Sequence, residues 1–159
     1  SRNTASGEDS SVTGGYENEA SGQTSSVSGG SKNTAQGERS AVSGGSQNTA
    51  YKFGSAVSGG NLNWAVAEHS SVTAGQRNQA KGEFSSVSGG WANQATHARS
   101  SVSGGARNMA QNVDASVSGG FLNKAVGRYC SVSGGKSNFA NGETSTISGG
   151  IGNKAENKF

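Results

Sequence analysis

Catalysis needs titratable or nucleophilic side chains held at fixed spacing, and this chain of 159 residues offers few of them: two His, one Cys and ten carboxylates. His69 and His97 have no carboxylate or Cys at a constant separation that could orient a general base or complete a nucleophilic pair. Both read as solvent-exposed variation. Asp9 and Asp114 are the only aspartates, which excludes the Gly-Gly-x-Gly-x-Asp calcium roll. Cys130 has no clustered His with which to build a structural zinc site, and alone it forms no internal disulfide. The Ser133-Gly134-Gly135 stretch neither opens a helix nor carries the Lys of a phosphate-binding loop. The sequence therefore predicts no catalytic residue, no metal site and no cofactor.

Composition supports that exclusion. Hydrophobic residues make up 30% and charged residues 14%, both below the values of an average globular domain. A two-layer enzyme with a thick core cannot be built from so few Leu, Ile and Phe. Disorder is disfavoured too, because Pro is absent and the net charge is only +3. That balance of 13 basic against 10 acidic residues is too weak to predict a nucleic-acid partner. No apolar run is long enough to cross a membrane, and neither a signal peptide nor a lipidation motif is expected.

The elements that position these side chains follow from an internal repeat. Cutting after each Gly-Gly yields SRNTASGEDSSVTGG, YENEASGQTSSVSGG, SKNTAQGERSAVSGG and their successors without a gap. Ten complete 15-residue copies end at Gly150, and IGNKAENKF begins an eleventh. Both ends interrupt the pattern, so residues 1–159 are expected to be one domain segment cut from a longer protein. With places numbered 1 to 15 within a copy, place 3 is always Asn, place 5 always Ala and place 15 always Gly. Place 14 is Gly except at Ala74, and place 12 is Val except at Ile147. Place 10 is Ser except at Ala115 and Cys130, where Cys130 reads as a buried isostere of Ser. Places 11 and 13 admit only Ser, Ala or Thr.

A 15-residue unit is too short for a helical-pair repeat or a propeller blade. It suits one coil of a parallel β-solenoid with two short strands and two turns. Strand alternation then assigns the faces. The predicted core is the Val column Val12, Val27, Val42, Val57, Val72, Val87, Val102, Val117, Val132 and Ile147, together with the Ala column Ala5, Ala20, Ala35, Ala50, Ala65, Ala80, Ala95, Ala110, Ala125 and Ala140. Place 3 also points inward, and Asn18, Asn33, Asn48, Asn63, Asn78, Asn93, Asn108, Asn123 and Asn138 are expected to form a ladder. In it each side-chain amide donates to one neighbour and accepts from the next. Gly at places 14 and 15 is expected to free the chain for a sharp turn or positive φ.

Places 4 and 6 face water and vary freely. Places 11 and 13 also face away from the interior, yet they stay small in every copy, as at Ser86, Ser88, Ser101, Ser103, Ser116 and Ser118. A surface pressed against them explains that restriction, and the simplest one is another copy of the chain. A thin roll that buries about one Val and one Ala per coil also gains little against the entropy of ordering 15 residues. An obligate oligomer is expected.

The unit Asn-x-Ala-x-Gly-x-x-Ser-Ser-Val-Ser-Gly-Gly resembles the YadA-like head repeats of trimeric autotransporter adhesins from Gram-negative bacteria, and the resemblance runs through essentially the whole chain. It implies an all-β, left-handed parallel β-roll packed side by side as a homotrimer, with the small places 11 and 13 facing the threefold axis. It further implies a head carried on the bacterial cell surface, anchored in the outer membrane through other regions and attaching to host matrix or cell-surface proteins. The chain departs from the best-known members at place 14, where Gly14, Gly29 and their equivalents replace a bulky aliphatic residue. Ligand contacts would fall on the variable places. Tyr51, Phe53, Trp64 and Val66 could form one apolar patch, and Phe121, Leu122, Val126, Tyr129 and Phe139 another. Arg2, Lys32, Arg77 and Arg107 recur at place 2 and could form an interrupted basic ridge. The alternative reading is a solenoid whose regular hydroxyl face meets a crystal or polymer, as in an ice-binding or phage-fibre module.

Overall fold

The computed structural model describes residues 2–156. Each copy of the repeat makes one coil of a β-solenoid, and the coils stack in parallel with a constant offset of 15 residues. Place 4 and place 5 form one two-residue strand per coil, from Thr4–Ala5 to Lys154–Ala155, and these eleven strands build one sheet. Places 11 and 12 form the other, from Ser11–Val12 to Thr146–Ile147, with ten strands. They are called here the Ala sheet and the Val sheet. A third ladder of single bridges runs along place 1, from Tyr16 to Ile151.

Strict register follows from side-chain chemistry. Ala80 lies on Ala95 and Val87 on Val102, and a slip of one residue would drive every Val to the outside. Between the sheets lies a core one Val and one Ala thick. Val27 through Val132 and Ala20 through Ala140 are essentially without solvent exposure. Burying each Val contributes about 1.5–3 kcal/mol. Ile147 retains 6% exposure. Two expected core residues differ at the first coil, which is covered by a neighbour on one side only: Val12 is half-buried and Ala5 exposed.

Amides alternate in direction along each strand. Gln94 N–H donates to the Asn108 carbonyl of the following coil at 2.9 Å, and Ala95, in register with Ala80, turns its own toward the preceding coil. Places 2 and 9 instead adopt left-handed φ in non-glycine residues, including Arg77 (58°), Leu122 (57°) and Tyr129 (58°). Positive φ rotates the amide, so Arg77 N–H donates back to the preceding coil at the Asn61 carbonyl (3.0 Å) and Tyr129 N–H to the Val113 carbonyl (3.1 Å). These backward bonds oppose the steric cost of left-handed φ.

Only one glycine of each Gly-Gly pair is demanded by the coil itself. Gly105, at place 15, has φ 79°, and a Cβ there would collide with the Gly120 carbonyl above it. Gly104, at place 14, has ordinary φ, and a Cβ would meet nothing within 4 Å. Of the two glycines expected to free the chain for a sharp turn or positive φ, the one at place 15 alone takes positive φ. Place 15 needs it, and place 14 does not.

Candidate functional site

The Asn column is fully bonded, with a geometry different from the expected amide-to-amide ladder. Asn93 Nδ2 donates to the Gly89 carbonyl at 2.8 Å and to the Gly105 carbonyl of the next coil at 2.9 Å. Its Oδ1 accepts the backbone N–H of Asn108 at 2.9 Å. The donor to each Oδ1 is thus the main chain, while the side-chain amide clamps two glycine carbonyls at the turn. The same pattern runs from Asn18 to Asn138. No donor or acceptor of that amide is left aimed at a ligand.

The inward place 10 is buried as well. Ser100 Oγ donates to the His97 carbonyl at 2.6 Å and accepts the His97 N–H at 3.2 Å. Cys130 takes the same position with its thiol fully buried, and that burial pushes its pKa upward. Such a thiol is held in its unreactive protonated form.

Two outward faces remain, and they differ completely. On the Val sheet, place 11 is half-buried at Ser86, Ser101 and Ser116, and place 13 is exposed at Ser88, Ser103 and Ser118. With the open glycines of place 14, they make a face of small side chains along the solenoid. On the Ala sheet, places 4 and 6 carry Trp64, Tyr51, Val66, Met109 and Phe139 among Thr, Gln and Lys.

The aromatic residues do not group as their proximity in sequence suggests. Tyr51, Trp64 and Val66 share the outer face of the Ala sheet, but Phe53 stands past the place-7 turn on another edge. There its ring meets His69 edge-on at 5.2 Å, and His69 in turn stacks parallel on Phe84 at 4.9 Å. The Arg39 guanidinium lies 5.5 Å from the Phe53 ring centre. The second group divides in the same way. Leu122, Lys124, Ser137, Asn138 and Phe139 line a shallow cavity of about 290 Å³. Phe121 lies beside the Lys136 ammonium at 6.0 Å, while Tyr129 sits on the His69 edge under Arg128 at 4.9 Å. Sequence reasoning missed this edge stack. Its signal was available, because Phe53 occupies place 8 and His69 and Phe84 place 9, all beyond the same turn.

That edge carries the ion pairs Arg39–Glu38 and Arg99–Asp114. Arg99 makes two bonds of 2.8 Å to the Asp114 carboxylate one coil above. The guanidinium holds the Asp114 carboxyl below the usual carboxylate range, chiefly through this hydrogen bonding. Tyr16 is pushed upward by its hydrogen bond to Glu17 and by that residue's negative charge. Among the described residues no three His, Cys, Asp or Glu gather in a group that could hold a metal ion, and no helix is long and apolar enough to cross a membrane. No family model matches the chain, and no curated protein matches it.

Proposed function

We propose that this chain is a non-catalytic adhesin head, assembled as a homotrimer through its small-residue face and displayed at a bacterial surface. The observation that carries the reading is the glycine at place 14. Nine of ten copies hold Gly there, although the coil leaves a Cβ unopposed and φ is ordinary. A residue type kept small without an internal cause points to an external surface in close contact. The neighbouring rows at places 11 and 13 are restricted in the same way. A second copy of the chain supplies such a surface with matching 15-residue spacing, and three copies with left-handed coils follow from the resemblance to YadA-like heads.

On this reading the Ala sheet faces outward and presents its variegated side chains repeatedly, so weak contacts multiply by valency. Attachment to host matrix or cell-surface protein, and of heads to one another, is the corresponding activity. Outer-membrane anchoring would come from regions outside this segment.

Beads coated with the chain should adhere to surfaces carrying matrix protein and clump together. Beads bearing a Tyr51→Ala, Trp64→Ala, Phe139→Ala variant should adhere less. Coated beads that behave like bare ones would overturn the adhesive reading. The exposed Ser column at place 13 favours one other function, recognition of a regular solid such as ice. Thermal hysteresis by a single-chain species would support that reading instead.

A further inference from the structure

Charge is sorted between the two sides of the solenoid in its second half. Between Gln76 and Glu156, places 1 to 6 carry Arg77, Lys81, Arg107, Lys124, Lys136 and Lys154 against one carboxylate, Glu156. The other carboxylates of these coils, Glu83, Asp114 and Glu143, sit at places 8 and 9, beyond the turn. All six cations are exposed. None belongs to the ion pairs among the described residues, which join Lys32 to Glu17, Arg39 to Glu38 and Arg99 to Asp114. Coils rise by about 4.8 Å, so these cations recur along the place-1 and place-2 edge and the outer side of the Ala sheet, with Glu156 the one carboxylate among them. That arrangement is self-repulsive until an anion covers it.

We propose that this face binds a sulfated polysaccharide laid along the solenoid axis. Spacing is the first argument. Arg77 and Arg107 share the place-2 column two coils apart, as Lys124 and Lys154 share the place-4 column. Each pair is therefore separated by about 10 Å, close to the length that two linked sugar rings cover in an extended chain. Six cations over six coils average one per coil. Duplex DNA carries a negative charge about every 1.7 Å, a much denser line.

The aromatic residues supply the second argument. Arg107 covers Trp91 at 4.7 Å and Lys136 lies at 6.0 Å from the Phe121 ring centre. Rings used in this way steady the cations and are not open platforms for stacked bases. Across these coils Gln79, Gln94 and Gln111 offer side-chain amides that match sugar hydroxyls. Sulfate oxygens accept charge-assisted hydrogen bonds from guanidinium and from ammonium groups alike.

This inference names a partner for the outward face, and it rests on the adhesin reading only in requiring that face to be free. Heparin immobilised on a sensor surface is the probe. The chain should bind it at an ionic strength of about 0.15 M and be released at about 1 M. The triple variant Arg77→Glu, Arg107→Glu, Lys124→Glu should bind at least about tenfold more weakly. It should still fold, because Glu17 already occupies place 2 at φ 53° and Glu19 occupies place 4. Arg39→Asp with Arg128→Glu, on the opposite edge, should leave affinity unchanged. Equal loss from both variants, or no retention of the parent chain, would overturn the proposal. So would equal binding to hyaluronan, which carries carboxylates alone, or tighter binding to duplex DNA. Adhesion to matrix protein without heparin binding would remove this proposal and leave the adhesin reading intact.

Discussion

Asn93 Oδ1 accepts the backbone N–H of Asn108 at 2.9 Å, so a side chain in one coil sets the height of the main chain in the next. The same Asn93 amide clamps Gly89 and Gly105, which ties the glycine turn to the Ala sheet. Both residues are fully buried, and this linkage recurs at every coil interface between Asn18 and Asn153.

Asn93→Asp keeps the shape of the side chain and removes both donors. Both glycine carbonyls then face a carboxylate. Gly105 keeps the Trp91 N–H at 3.0 Å, whereas Gly89 loses its side-chain donor, and an unsatisfied polar group costs about 1–3 kcal/mol. Denaturant unfolding followed by circular dichroism should shift markedly downward, whereas Gln94→Glu at the neighbouring outward position should shift it little. Equal shifts would mean that the clamp does not hold the turn.

Gly105→Ala and Gly104→Ala add the same methyl group to adjacent residues with opposite consequences. At Gly105 the methyl strikes the Gly120 carbonyl and φ is 79°, so thermal stability should fall by several degrees or the chain should fail to fold. At Gly104 the methyl meets no atom of the chain, and Ala74 already stands at that place. Gly104→Ala should therefore cost much less than Gly105→Ala, and equal losses from the two would contradict the assignment of the internal need to place 15 alone.

Acid should weaken the Arg99–Asp114 link in a defined direction. The depressed Asp114 carboxyl contributes stability that is present above its unfolded value of about 3.9. That contribution is lost as pH falls through the lower folded value. The pair is solvent-accessible, so the effect is small. The melting-temperature difference between the parent and Asp114→Asn should stay constant from neutral pH to about 5 and shrink toward zero below about 4. A difference that grew on acidification would contradict the assignment.

The inward columns were legible in the sequence because packing permits one residue type at Ala80, Val87 and Asn93. The place-1 ladder was not, since backbone pairing from Gln76 to Trp91 to Ala106 tolerates any side chain and leaves no compositional trace. Left-handed φ at Arg77 and Tyr129 was hidden for a related reason. The backward hydrogen bonds hold these residues where glycine would usually signal the conformation. Gly104 and Gly105 look alike as letters, yet only their φ and surroundings separate an internal need from an external one. The aromatic grouping failed at Phe53 because nearness along the chain does not carry a side chain across the place-7 turn. Basic residues were legible at Arg77 and Arg107 as a ridge, but the full cationic face required the stacking of places 1, 2, 4 and 6.

Sedimentation equilibrium of the parent chain and of Gly104→Leu at micromolar concentration tests the small-residue seam most directly. The parent should have three times the mass of one chain. Gly104→Leu adds bulk where the coil has room and the partner surface does not, at a cost of about 1–3 kcal/mol in each copy. Its mass should drop toward a single chain or its fold should be lost on dilution, while Gln94→Trp on the Ala sheet should keep the parent mass. A stably folded parent with the mass of one chain, or a Gly104→Leu variant that stays trimeric and equally heat-stable, would contradict the account and place the glycine and serine rows in water.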